Sequence, residues 1–172
     1  MATRDGVVIV DGNTSTPLPG ITGPVERAFA DGDGGVVVQV DDSAIARVAD
    51  GTATQVVHLD DFDDLDADGV SVSPSAIHLM DVDATTGLMV FTVEHLDDGT
   101  PTQDSRTQSI VAATDGSNPQ VVATNELFEG GIEHALGGPR RATNLSSESS
   151  GELLVFEDGD EIALDRDRSC PC

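Results

Sequence analysis

Six aspartates crowd into the nine positions from 60 to 68, and three of them, Asp64, Asp66 and Asp68, alternate ahead of Gly69. Calcium is the chemistry this spacing suggests, because Ca²⁺ takes several hard oxygen ligands and a glycine lets the chain turn sharply around it. On that reading the carboxylates of Asp64, Asp66 and Asp68 and the carbonyl of Val70 are the ligands. The match to a calcium loop then breaks. Val72 and Ser75 stand where a further ligand and a bidentate Glu are expected, and Pro74 argues against an exiting helix. A solvated acidic loop is the competing expectation, and the abundance of Asp and Gly in this chain favours it.

Other residue types carry less. His58, His78, His95 and His134 are scattered, with no His-Glu-x-x-His or other metal spacing among them. Glu94-His95 and Glu133-His134 are sequence neighbours. On a strand such neighbours face opposite ways, so neither pair makes a dyad locally. There is no Gly-x-Ser-x-Gly elbow, and the Gly-rich run Asp31 to Gly35 carries two carboxylates and no Lys, which is wrong for cradling phosphate. Cys170 and Cys172 are too close in sequence to bridge readily and too few to complete a zinc site alone. No catalytic motif emerges, and a noncatalytic role is the expectation.

The elements that would position these residues are strands. Valine, isoleucine and alanine dominate the apolar set, while aromatics are 3% of the chain, so the core is expected from small and β-branched side chains. Strand-like runs at Val7–Val10, Val36–Val40, Ala44–Val48, Thr54–Val57, Leu88–Val93, Ser109–Thr114 and Pro119–Val122 are separated by Asp-Gly and other turn residues. Further runs are Val25–Ala30, with Val25, Arg27 and Phe29 expected on one face, and Ala76–Met80, followed by a turn from Asp81 to Gly87. Pro17 and Pro19 confine the strand after Asp11-Gly12 to an edge or an early end. Asn125 to Glu129 is expected to make a helical turn. Thr143 to Gly151 is Ser-rich and loop-like, and Leu153–Phe156 and Glu161–Leu164 form a last hairpin.

Laid over one another, these pieces repeat. The turns Asp11-Gly12, Asp50-Gly51, Asp115-Gly116 and the degenerate Asp165-Arg166 follow one another at 39, 65 and 50 residues, and the contexts VADGTATQVV and AATDGSNPQVV are related. Such intervals bracket the roughly 40–50 residues of a four-stranded propeller blade. The chain is therefore expected to be one all-β domain of antiparallel four-stranded blades. Its parts are a partial blade over 6–22, a blade over 23–59, an acidic loop over 60–73, a blade over 74–124 and a partial blade over 131–168.

The stretch DVDATTGLMVFTV followed by TDGSNPQVV resembles the TolB-type β-propeller repeat, in which a Gly-ended turn precedes a strand finishing near Phe-Thr and an Asp-Gly turn precedes the outermost strand. The Ser-Pro usual before the Gly turn is absent, and aliphatics replace most blade aromatics. The resemblance implies a radial array of small antiparallel sheets with a protein- or peptide-binding surface, and it implies no catalysis. A closed ring needs at least four blades, and about three are present. Blades on a longer chain, self-association and a β-sandwich all remain open.

Charge bounds the partners. The formal net charge is -24, with 32 acidic residues against eight Arg and no Lys. Nucleic acid and anionic membranes are disfavoured, because affinity for either needs cations that neutralise phosphates. Basic peptides and cations are favoured. The run after Met1 is too short and too soon interrupted for a signal peptide, and an extracytoplasmic place is expected only for a piece of a longer protein. Three roles follow: a protein- or peptide-binding scaffold, a calcium-stabilised extracellular repeat, and the accessory propeller of a larger hydrolase.

Overall fold

Valine-rich runs broken by aspartate and glycine fold into strands, and in the computed structural model of the chain they form four antiparallel sheets. The structure describes residues 24–126 continuously, with Ile21 and the backbone of the outlying strands. One sheet is β1 (Ala2–Thr3), β2 (Gly6–Asp11) and β3 (Thr14–Pro17). The next is β4 (Val25–Ala30), β5 (Val36–Val40), β6 (Ala44–Ala49) and β7 (Thr52–His58). The third holds β8 (Leu65–Ala67), β9 (Val70–Asp83), β10 (Leu88–Leu96), β11 (Arg106–Ala113) and β12 (Gln120–Glu126). The fourth is β13 (Ile132–Gly137), β14 (Arg140–Ser147), β15 (Ser150–Glu157) and β16 (Asp160–Ile162).

Within every sheet each strand pairs with its neighbour in sequence, so all four are simple meanders. As the prolines require, β3 lies at an edge. Turn chemistry sets the register: Asp50-Gly51 and Asp68-Gly69 have positive φ at both residues (51° and 72°, 53° and 91°), the geometry of two-residue hairpin turns that match the twist of their strands.

The two central sheets pack face to face. Val37, Ile45 and Val57 meet Ile77, Leu79, Met89, Phe91 and Val93, and Phe91 is the largest fully buried side chain among the described residues. On the opposite face of the β4–β7 sheet, Val38, Ala46 and Val48 form a second core with Ile21 and Val25. The turns interlock as well. Gly32 (φ 85°) lies so close to the Ala84 carbonyl, and Gly116 (φ 82°) to that of Val56, that a side chain at either would collide with backbone.

β-Bulges decide several details that strand alternation alone misplaces. Val25 was expected on the face of Phe29, but a register shift between Val25 and Arg27 reverses the phase: Val25 joins the second core and Phe29 packs against the first. The outer strands repeat this device. β7 shifts register between its partners Ile45 and Ala46, and β12 between Ser109 and Ile110, so the related Gln-Val-Val stretches at 55–57 and 120–122 each carry a bulge. A bulged outer strand makes a poor template for another chain.

Three expectations are corrected here. β9 runs for 14 residues from Val70 to Asp83, where a five-residue strand ending in a turn at Asp81 was expected. It tolerates Pro74 because that residue sits beside the second of two register shifts against β10. Asn125 and Glu126 extend β12 by pairing with Thr107 and Arg106 instead of starting a helical turn, and residues 127–129 lie outside the described residues. Thr143 to Ser147 is strand, held along its length by β15 despite its serines.

Beyond Val72, where its pairing with β8 ends, β9 has backbone groups open on its inner edge, and the neighbouring sheet satisfies them. Ile77 donates its N–H to the Asp42 carbonyl at 2.7 Å. The Leu79 N–H goes to Oε1 of the fully buried Gln39 at 2.9 Å, and Nη1 of Arg27 donates to the Leu79 carbonyl at 3.1 Å. Nε2 of Gln39 in turn donates to Glu26 at 3.0 Å. An edge that would otherwise be open to pairing is closed by side chains, and the same bonds fix how the two sheets sit on each other.

Candidate functional site

Three segments meet at one end of the central sheets: the β5–β6 turn at residues 41–43, the connector and hairpin at 59–69, and the β10–β11 loop at 97–105. The Leu59 N–H donates to the Ser43 carbonyl at 3.0 Å, and Asp68 lies 3.6 Å from the Arg106 guanidinium just beyond the third segment. The segments contain two, six and three aspartates and no Arg or Lys. They therefore form a strongly negative end with Arg106 at its border.

The 59–69 segment is ordered by short-range rules. A single 3-10 turn, Leu59–Asp61, is capped by His58, whose Nδ1 accepts from the Asp60 N–H at 3.2 Å while Asp61 accepts from the His58 N–H at 2.7 Å. Two acidic residues in a first turn are favoured by the helix dipole. Phe62 then drops onto the core, edge-on to Phe91 with ring centroids 6.2 Å apart. β8 and the Asp68-Gly69 turn lead back into β9.

The expected calcium ligands fall in this segment, and each is engaged separately. Asp66 accepts from the Gly69 N–H at 2.7 Å, Asp64 lies 3.5 Å from the Ser71 hydroxyl, the exposed Asp68 lies 3.6 Å from Arg106, and Val70 begins β9. Among the described residues no group of three or more His, Cys, Asp or Glu side chains is gathered as a metal would need. The alternation that suggested inward-pointing ligands is that of β8 and its hairpin turn.

Behind the acidic end stands His95. It is fully buried, and neither ring nitrogen has a hydrogen-bond partner of proper geometry. Its strand presents Met89, Phe91 and Val93 to the core, and alternation places His95 next on that face. Desolvation holds the imidazole pKa below the usual histidine value, against the opposing pull of the Val93 and Asp63 backbone and the charge of Asp64. A sequence signal existed, since the alternating apolar run that begins at Met89 continues to position 95.

The other histidines are ordinary. His78 meets Glu94 at 3.3 Å, a diagonal cross-strand pair that leaves both side chains about a third exposed. His134, Cys170 and Cys172 have side chains outside the described residues. His58 caps the connector that covers His95, and the two are not gathered into a ligand set among the described residues.

At the opposite end, Asp31 anchors the β4–β5 turn. Its side chain has no exposed surface, yet Oδ1 accepts from the N–H of Gly35 at 2.7 Å and of Asp33 at 3.0 Å, and Oδ2 takes two contacts from Arg47 at 2.6 and 2.7 Å. Burial pushes the carboxyl up, but the Arg47 guanidinium and these N–H groups outweigh it and hold its pKa below the usual carboxylate value. Gly35 is required, because a Cβ there would press on Asp31 and on the Val48 carbonyl.

Among the described residues no helix is long and apolar enough to cross a membrane. Compared with known protein families and with curated proteins, the chain matches none.

Proposed function

We propose that the chain is a run of propeller-type blades acting as a noncatalytic scaffold, whose acidic end receives a basic protein or peptide segment. The observation that carries this reading is the placement of segments 41–43, 59–69 and 97–105 together at one end of meander sheets. Rigid strands with variable polar loops at their ends are how such folds present binding residues. Complementary charge then selects the partner and speeds its approach. The succession of meander sheets of three, four, five and four strands and the covered inner edge of β9 support blades over a two-sheet sandwich.

The test is fluorescence anisotropy with a panel of extended peptides of matched length and graded positive charge, read at low and high salt. The expected result is binding that tracks peptide charge, weakens with salt and falls at least about tenfold when Asp60, Asp61, Asp63 and Asp98 are changed to Asn. Equal or no binding across the panel, or an unchanged affinity in the neutralised variant, would sink the reading.

A further inference from the structure

His95 is the described residue least accounted for by the fold. A buried polar ring with both nitrogens unpartnered costs stability, and a hydrophobic side chain of similar size would fill the place without that cost. What surrounds it gives it a use. Over it lies the 59–64 connector, fixed to the core by Phe62 on Phe91 and to the neighbouring sheet by the Leu59–Ser43 bond.

Among the described residues, the groups around the ring come from the connector, β9, β10 and β11. The connector supplies the Asp63 backbone and the Asp64 carboxylate. From β11 comes Arg106, directly opposite His95 in register and so on the same face, but with its guanidinium directed to Asp68 and to the carbonyls of Gln103 and Ser105. β9 contributes the uncharged Pro74 opposite His95, and on β10 itself Glu94 projects to the other face and pairs with His78. The Val93 and Asp63 backbone offers a charged imidazolium no well-formed hydrogen bond and is outweighed by desolvation, whereas four aspartates lie on the 59–64 connector that covers the ring and two more on the hairpin beyond it.

We propose that His95 is a proton-operated latch: on taking up a proton the ring leaves its dry site for the aspartates of the 60–68 stretch and lifts that segment off the end of β9 and β10. Opening uncovers the apolar surface around Phe91 and Val93 and rearranges the acidic end. The latch acts on the site proposed above, but it stands on His95 and its cover and is read without any ligand.

The experiment is amide hydrogen exchange on the whole chain at pH 7.5 and 5.5, corrected for the intrinsic pH dependence of exchange. A histidine that gains its proton only in the open state raises the opening equilibrium of residues 59–72 about tenfold over this interval, while β5 and β6 keep their protection. In His95→Leu the difference disappears. His58 caps the same segment, so His58→Asn, which retains a capping oxygen and takes up no proton, is measured alongside and should keep the response. Equal protection at both pH values, an unchanged response in His95→Leu, or its loss in His58→Asn would each overturn the proposal. Should His95→Leu fail to fold, NMR titration of the wild-type ring decides. Its resonances and the amides of 59–69 should move with one midpoint, and separate midpoints or a ring that never titrates before unfolding would refute the latch.

Discussion

Asp31 and His95 close opposite ends of the same pair of packed sheets, both with almost no exposed surface, and they meet burial in different ways. The carboxylate is surrounded by donors from its own turn and by a guanidinium from β6, so the charged form is the stable one. The imidazole makes no well-formed hydrogen bond through either nitrogen, and desolvation makes the neutral form the stable one. Satisfying a buried group makes a rigid structural joint. Leaving it unsatisfied makes a place where a proton changes the energy of the fold.

The largest way to break the contrast is to remove the satisfied group. Asp31→Ala leaves the N–H groups of Gly35 and Asp33 and the Arg47 guanidinium without their acceptor, and should cost about 3 kcal/mol in urea unfolding. Arg47 keeps some access to water, which holds the loss below that of a fully sealed pair. A lower midpoint with unchanged slope is the expected signature. Gly32→Ala attacks the same joint from outside, forcing a side chain at φ 85° against the Ala84 carbonyl, and should cost about 2 kcal/mol in the same assay.

Replacing the unsatisfied group should act in the opposite sense. His95→Leu is expected to raise stability at pH 7 by about 1 kcal/mol, because it removes two orphaned polar atoms from a dry site. Acid widens the gap. The folded-state pKa of His95 lies below its unfolded value, so below about pH 6.5 the unfolded chain binds more protons and wild-type stability falls as pH falls, by at most about 1.4 kcal/mol per pH unit until the folded pKa is reached. Asp31 has the carboxylate signature, its contribution being present above the unfolded pKa of about 4 and lost as pH drops through its lower folded value. Unfolding curves between pH 7.5 and 5 should therefore slope in wild type and lose that component in His95→Leu.

The smallest expected effect concerns the acidic end itself. With Asp64, Asp66 and Asp68 engaged separately, millimolar Ca²⁺ should shift the melting temperature by no more than about 1 °C relative to Mg²⁺ at equal ionic strength. A specific site saturated a hundredfold above its dissociation constant would add about 2.7 kcal/mol and move the transition by several degrees.

Much was legible in the residues. Asp50-Gly51 located the hairpin turn at 50–51, because φ > 0 at both positions is a local requirement that few residues meet, whereas the equivalent turn at Asp68-Gly69, with β8 and the start of β9, lies where an acidic loop over 60–73 was expected. Valine runs marked the strands, prolines placed β3 at an edge, and the recurring spacing indicated repeated meanders. Strand order, turn chemistry and a negative surface thus follow from the sequence by itself, since each depends on neighbours within a few positions or on composition.

Other features were decided only in three dimensions. Val25 faces away from Phe29 because of a bulge that alternation does not announce. Gln39 is buried because it accepts from Leu79, 40 residues further on, and Asp31 finds Arg47 across 16 residues. Which neighbours the alternating aspartates meet, the Gly69 N–H for Asp66, the Ser71 hydroxyl for Asp64 and Arg106 for Asp68, depends on how β8 and its turn fold back on β9 and β11. His95 reads as one more strand residue until the connector from Leu59 to Asp64 closes over it. In each case the deciding quantity is which group from elsewhere in the chain arrives to satisfy, repel or cover a side chain, and that is a property of packing.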